Sequence, residues 1–175
     1  MYAAFAVGQE WTSGVLLDSD AEGETARKKL QEMRLKELAN DQKEKFFIVM
    51  LGKAAGIEKN DAAIEDLFDD QFYLDCVNAA FGFAIKFDDL PVDGSDMISK
   101  RIEVVMKDRF GRQSLDKRQV MKEMLRRFDK WNAVSDLPPD TVERAERLFD
   151  TRWCTLTSGN SVCAPDGCAT LPASG

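Results

Sequence analysis

Apolar residues recur at helical spacing through most of the middle of the chain. Between residues 115 and 134 they fall at intervals of three and four, with charged residues mostly between them. This pattern is typical of an amphipathic helix whose apolar side packs against the rest of the protein. The same spacing predicts further helices over residues 21–55, 70–85, 97–110 and 140–153.

These elements predict an all-α fold, a single-domain bundle of about five helices. The first 20 residues mix apolar side chains with Gly8 and Gly14, which favours a short strand or an irregular arm. The last 22 residues are rich in Cys, Ser, Thr and Gly and predict an irregular tail. We therefore divide the chain into an N-terminal arm (1–20), a helical domain (21–153) and a C-terminal tail (154–175).

Two local patterns define the predicted helix over residues 21–55. Ser19 and Glu22 have the spacing of a capping box, which predicts that the helix begins directly after Ser19. Residues 46–51 are apolar without interruption, which indicates burial on every side. We expect the core to contain Phe46, Phe47, Val49, Met50, Leu67, Phe72, Phe83, Ile102, Val105, Met124, Leu125, Phe128 and Trp131.

The composition argues against several classes of function. The formal net charge is −7 and the chain contains no histidine. Histidine is the commonest general base and metal ligand, so we expect neither an enzyme nor a bound cofactor. The acidic balance argues against nucleic acid as a partner. No apolar run approaches the ~20 residues that span a bilayer, and the N-terminus lacks the basic leading region of a secretory signal. These features predict a cytoplasmic protein without a membrane partner.

The two signs of charge are separated along the chain. Residues 58–96 carry eleven acidic and two basic side chains, whereas residues 99–130 carry eleven basic and five acidic ones. Opposite charges attract, so we expect these two stretches to face one another, within one chain or between two copies.

The helices over 97–110 and 115–134 have a helix-turn-helix outline and carry most of the basic charge. Their cations predict a basic contact surface for an oppositely charged partner or, as the alternative, for nucleic-acid phosphates. The net acidity favours the first of these alternatives. The candidate residues are Arg112, Lys117, Arg118, Lys122 and Arg126.

Three of the four cysteines lie in the C-terminal tail, interleaved with hydroxyl side chains. Three thiols without a histidine leave the usual four-ligand zinc site incomplete, although Cys76 could supply a fourth thiol. Dehydrated Ser and Thr react with thiols, so the tail also has the composition of a thioether-forming peptide. The candidate modified or contact residues are Cys154, Thr155, Thr157, Ser158, Ser161, Cys163, Cys168 and Thr170.

Residues 154–158 read Cys-Thr-Leu-Thr-Ser, which is similar to a segment in the core peptide of mersacidin-like lanthipeptides. The match covers five residues, and Gly159 and Asn160 depart from the Glu and Cys of that family. The resemblance implies a ribosomally made precursor with residues 1–153 as leader, 154–175 as core peptide, and a modifying enzyme as partner.

The sequence therefore supports two hypotheses of different classes. The first is a non-catalytic helical protein that acts by protein–protein binding, as an adaptor, assembly factor or structural subunit. Its partner is another protein or a second copy of itself, and a viral or phage origin is one alternative. The second is the modified-peptide precursor.

Overall fold

The computed structural model describes residues 13–38 and 46–157, with side chains for residues 14–38 and 46–150. This part of the chain is mostly helical, as predicted, and it also contains one small parallel sheet. Three short 3₁₀ helices, Ile64–Leu67, Phe87–Asp89 and Val134–Asp136, lie between the longer elements. The α-helices are α1 (Ala21–Glu37), α2 (Leu51–Ala55), α3 (Asp70–Phe81), α4 (Ile98–Phe110), α5 (Lys117–Phe128) and α6 (Pro139–Thr157).

The sheet consists of two strands, β1 (Ser13–Leu17) and β2 (Phe46–Met50), paired in parallel from Ser13 opposite Phe46 to Leu17 opposite Met50. The prediction of one helix over residues 21–55 is therefore wrong, because α1 ends at Glu37 and β2 follows. A short apolar run fits a buried strand as well as a buried helix. The aromatic and β-branched residues of β2 pack well in a strand, and β1 supplies its hydrogen-bonding partner. Of the two alternatives for the first 20 residues, a short strand or an irregular arm, Ser13–Leu17 forms the strand, and residues 1–12 lie outside the described residues.

The entry to α1 differs by one residue from the predicted capping box. Asp20 is the N-cap, and its Oδ1 accepts a hydrogen bond of 2.6 Å from the Gly23 amide. Ser19 instead accepts a bond of 2.8 Å from the Gly52 amide through its Oγ and forms an antiparallel bridge with Ala62. The Ser19 hydroxyl therefore binds a distant backbone amide and not the first turn of α1, as the local pattern had predicted.

Among the described residues, the apolar core has two clusters. The first is built on α3, α4 and α5 and includes Ile98, Ile102 and Met106, each fully buried. The second joins α2 to α6 through Leu51, Ala55, Ala62 and Leu148. Of the predicted core residues, five are buried: Phe46, Phe72, Ile102, Val105 and Met124.

Leu125 corrects the predicted core, because 53% of its surface is exposed. The apolar side of α5 is wider than the surface that α3 covers, so Val120 and Met124 are buried and Leu125 is not. Phe128 and Trp131 are half-buried and lie against Phe72, with ring centroids 6.0 and 5.4 Å away.

One buried carboxylate joins the segments around the first cluster. Asp66 is fully buried and accepts hydrogen bonds from the backbone amides of Ala63 (2.8 Å) and Ile98 (3.1 Å). Its Oδ1 also contacts the ammonium group of Lys59 at 2.7 Å, and Lys59 reaches Asp70 as well. The bond to Ile98 caps the start of α4 from a distant segment of the chain. Asp66 therefore links its own 3₁₀ helix, Ile64–Leu67, to the start of α4.

The acidic and basic stretches face one another within the chain, as one form of the prediction required. Arg109 forms a bidentate salt bridge with Asp89, with N–O distances of 2.8 and 2.7 Å. Lys117 contacts Glu65 at 2.8 Å. Both contacts join residues 58–96 to residues 99–130.

The Asp89–Arg109 pair predicts a specific pH dependence of stability. The hydrogen bonds from Arg109, and then the bond from the Lys86 amide, lower the pKa of Asp89 to about 2. An unfolded Asp has a pKa of about 3.9, so the pair stabilises the fold above that pH and loses its effect as the pH falls towards 2. We expect Arg109→Gln to be less stable than wild type in urea unfolding at neutral pH. The difference should vanish near pH 2, and a constant difference would contradict the assignment.

No described helix is long and apolar enough to cross a membrane.

Candidate functional site

The geometry of α5 determines which of its side chains are available for contact. Asp116 caps the helix by accepting a bond of 3.1 Å from the Arg118 amide. Gln119 and Arg127 then bind backbone carbonyl groups of α3, at Ala80 (2.6 Å) and Asp75 (3.0 Å). These bonds, together with buried Val120 and Met124, fix one side of α5 against α3. The opposite side is consequently held in a defined orientation.

In the structure, the five residues of the predicted basic contact surface fall into two groups, those with a partner within the chain and those without a described one. Arg112 lies over the rings of Phe81 and Phe83, at 5.2 and 5.7 Å from their centroids. Lys117 pairs with Glu65, and Arg126 pairs with Glu123 at 2.8 Å. These three cations are engaged within the chain. Arg118 and Lys122 remain as the exposed members of the predicted set for which the described residues supply neither a carboxylate partner nor an aromatic ring.

Arg118 and Lys122 share one face of α5 with two exposed apolar residues. Positions 118, 121, 122 and 125 have the spacing that places side chains side by side on a helix. Met121 is 47% exposed and Leu125 is 53% exposed. We call Arg118, Met121, Lys122 and Leu125 the basic–apolar strip. Sequence periodicity had assigned both apolar members to the buried side, so it found the cations of the strip but not their apolar neighbours.

The acidic residue of α5 does not neutralise this strip. Glu123 accepts hydrogen bonds from Arg126 and Arg127, at 2.8 and 3.1 Å. The bond from Arg126, followed by the one from Arg127, lowers the pKa of Glu123 to about 2 despite partial desolvation. Glu123 is therefore ionised at neutral pH and committed to two other arginines.

A second candidate region, which the sequence analysis missed, lies at the carboxyl end of β1. Asp18 and Asp20 follow this strand directly and line a groove of about 600 Å³, whose other lining residues come largely from the loop before α4 and from α4 itself. A sequence signal existed: an apolar run, Val15 to Leu17, followed by Asp18 and, after Ser19, by Asp20. It was not used because a single short strand gives no indication of what will pack beside its end.

The charges beside this groove interact strongly. Partial burial and then the charges of Glu65 and Asp20 raise the pKa of Asp18, although Lys117 opposes the shift. For Lys117, burial lowers the pKa, but the hydrogen bond to Glu65 and the nearby negative charges outweigh it, so the pKa is raised. Glu65 is only 7% exposed, and its Oε2 has no hydrogen-bond partner among the described residues.

The cysteines are placed only in part. Cys76 is fully buried in α3, and its burial raises the pKa of the thiol to about 11, so it is protonated at neutral pH. The backbone of α6 continues to Thr157, so Cys154, Thr155 and Thr157 belong to its last turn. The remaining tail candidates, Ser158, Ser161, Cys163, Cys168 and Thr170, lie outside the described residues. The modified-peptide hypothesis stays a prediction.

Comparison with known proteins gives no match: no protein-family model, no curated protein and no solved structure is significantly similar to this chain.

Proposed function

We propose that the chain is a non-catalytic binding protein that uses the basic–apolar strip of α5 to hold an acidic amphipathic helix of a partner protein. The observation that carries this proposal is the pairing of two exposed cations with two exposed apolar side chains on one face of a rigidly anchored helix. The cytoplasmic location inferred from the sequence is part of the same proposal.

The chemistry of the strip favours a helical partner with carboxylates. A partner helix presents side chains at the same spacing of three and four residues, so its apolar residues can cover Met121 and Leu125 while its carboxylates reach Arg118 and Lys122. Methionine adapts its shape to different apolar partners, which suits a contact surface. The cations would contribute mainly to the rate of association and to the choice of partner.

Charge complementarity favours another protein over a second copy of this chain. Each copy carries a formal net charge of −7, so two copies repel one another at long range. The strip is a basic region on an acidic protein, so it attracts an acidic segment of a partner. The attraction is effective only if the net charge of the whole partner does not repel this chain.

Site-specific photocrosslinking in the native host tests the proposal. Benzoylphenylalanine placed at Leu125 should capture a partner whose crosslinked segment is acidic and of helical periodicity. The matched position is Val92, which is 88% exposed and far from α5 in sequence. Equal capture at both positions, or capture of a second copy of this chain at Leu125, would count against a specific acidic partner.

Charge reversal then tests the role of the strip with a peptide copied from the captured segment. Arg118→Glu with Lys122→Glu should weaken peptide binding by about 100-fold, because two charge-assisted contacts become repulsive. Lys28→Glu with Lys29→Glu changes the net charge by the same amount on exposed positions of α1. An equal loss in both double variants would show that net charge, and not the strip, governs binding.

A further inference from the structure

Met121, in the middle of the basic–apolar strip, differs from the other methionines of the described structure in its exposure. Among the six methionines with described side chains it alone is exposed, at 47%. Met97, Met106 and Met124 are buried, and Met124, three residues away on the same helix, is only 1% exposed. The thioethers of Met121 and Met124 are therefore neighbours in sequence with opposite access to solvent.

A thioether that solvent can reach is a target for peroxides. A lone pair of the sulfur attacks one peroxide oxygen, the O–O bond breaks, and the transferred oxygen forms a sulfoxide. With hydrogen peroxide the second oxygen leaves as water, so the sulfur is oxidised by two electrons and the peroxide is reduced by two. Because the sulfur needs no ionisation for this step, access to the oxidant determines which methionine reacts.

The thiol of α3 does not compete for the oxidant. Cys76 is fully buried, and burial raises the pKa of its thiol to about 11. Peroxides react with the thiolate and not with the protonated thiol, so Cys76 is protected by its protonation as well as by its burial. Among the sulfur atoms of the described side chains, Met121 is therefore the one in which exposure and reactivity coincide.

Reversal of the oxidation depends on the same exposure. Methionine sulfoxide reductases remove the oxygen as water, while two thiols supply the electrons and become a disulfide. Such an enzyme must contact the oxidised side chain directly, which the exposure of Met121 allows and the burial of Met124 prevents. Both directions of the cycle are therefore open at Met121 in the folded protein.

Oxidation of Met121 changes the part of the strip that makes apolar contact. Arg118, Met121 and Leu125 follow one another at intervals of three and four residues, so they are neighbours on the surface of α5. A thioether packs as an apolar group, whereas a sulfoxide is polar and accepts hydrogen bonds. We propose that Met121 is a site of reversible oxidation by peroxides, and that its sulfoxide releases the acidic partner helix from the strip. The effect on binding rests on the proposed function, whereas the selective oxidation of Met121 does not.

Selective oxidation is tested on the full chain without a partner. Trypsin cleaves after Lys122 and so places Met121 and Met124 on separate peptides, whose gains of ~16 Da are followed independently by mass spectrometry. In dilute hydrogen peroxide, Met121 of the folded chain should be oxidised at least about tenfold faster than Met124. In urea the two rates should agree within about twofold, because unfolding exposes both side chains.

Two results would overturn the assignment of this oxidation site. The first is equal rates for Met121 and Met124 in the folded chain. The second is a Met121 sulfoxide that persists after treatment of the folded chain with methionine sulfoxide reductases for both sulfoxide epimers and dithiothreitol. Both results are read on the peptide that contains Met121, so oxidation of cysteines elsewhere in the chain does not affect them.

The effect on binding is tested with the acidic peptide copied from the captured partner segment. Peroxide treatment of the wild-type chain should weaken peptide binding by about tenfold. Met121→Leu keeps an apolar side chain without an oxidisable sulfur, so it should bind like wild type and should not respond to peroxide. Met121→Gln has a polar group in place of the thioether and should bind weakly without peroxide. An equal loss in wild type and Met121→Leu after peroxide would place the damage elsewhere in the chain.

Failure of the oxidation switch and failure of the proposed function give different results. If the unoxidised wild-type chain does not bind the acidic peptide, the proposed function is wrong and the release of a partner by oxidation is wrong with it. If the unoxidised chain binds and the chain oxidised at Met121 binds equally well, the proposed function stands and the switch is overturned.

Discussion

Asp66→Ala is expected to lower the free energy of unfolding by about 3 to 5 kcal/mol. The change leaves the amides of Ala63 and Ile98 without their acceptor and removes one of the two carboxylates that hold Lys59. Each unpaired buried amide costs about 1 to 3 kcal/mol, and a cavity adds to the loss. Urea unfolding followed by circular dichroism measures it directly.

Two further variants separate the contributions at this position. Asp66→Asn keeps one carbonyl oxygen and should lose less stability than alanine, because one of the two backbone amides retains an acceptor. Asp93→Ala, an exposed substitution, should stay within about 0.5 kcal/mol of wild type. A loss below about 1 kcal/mol for Asp66→Ala would mean that the segments around it are held by apolar contacts alone.

Phe72→Ala is expected to produce a loss of similar size, about 3 to 5 kcal/mol, as for other large core residues. Phe72 is 9% exposed and its ring lies against Phe68, Phe128 and Trp131 at 6.2, 6.0 and 5.4 Å. Trp131 is half-buried, and its replacement by alanine should cost about 2 kcal/mol.

The relative size of the stability losses in Phe72→Ala and Trp131→Ala distinguishes the expectation from the structure from the expectation from sequence periodicity. Periodicity alone places Trp131 fully in the core and predicts the full loss there. Equal or reversed values in two-state urea unfolding would show that Trp131 closes the cluster more completely than its exposed surface indicates.

The helices were predictable because their signals are local. Apolar spacing and nearby caps lie within a few residues of one another, and α3, α4 and α5 formed close to the predicted positions. Strand β2 was not predictable in the same way, since its run of five apolar residues fits either element. Only the presence of β1, far away in sequence, decides the outcome.

The candidate sites likewise combine features with local sequence signals and features that depend on distant contacts. Arg118 and Lys122 were found because basic residues cluster along the chain, but the exposure of Leu125 depends on how much of α5 the neighbouring α3 covers. The groove brings the residues that follow β1 together with the loop before α4 and with α4 itself, which no local pattern reveals. Glu65 in particular has an ordinary sequence context, and only burial beside Lys117 distinguishes it.

The second apolar cluster has a consequence for the order of folding during synthesis. Its residues come from positions 51–62 and from Leu148, which are far apart along the chain. The first cluster, by contrast, is complete within positions 72–124 apart from its half-buried edge. A ribosome-bound chain can therefore pack α3, α4 and α5 together before α6, which covers the apolar side of α2, has been synthesised. Until Leu148 has left the ribosome, the apolar side of α2 that it covers in the folded protein remains exposed to water.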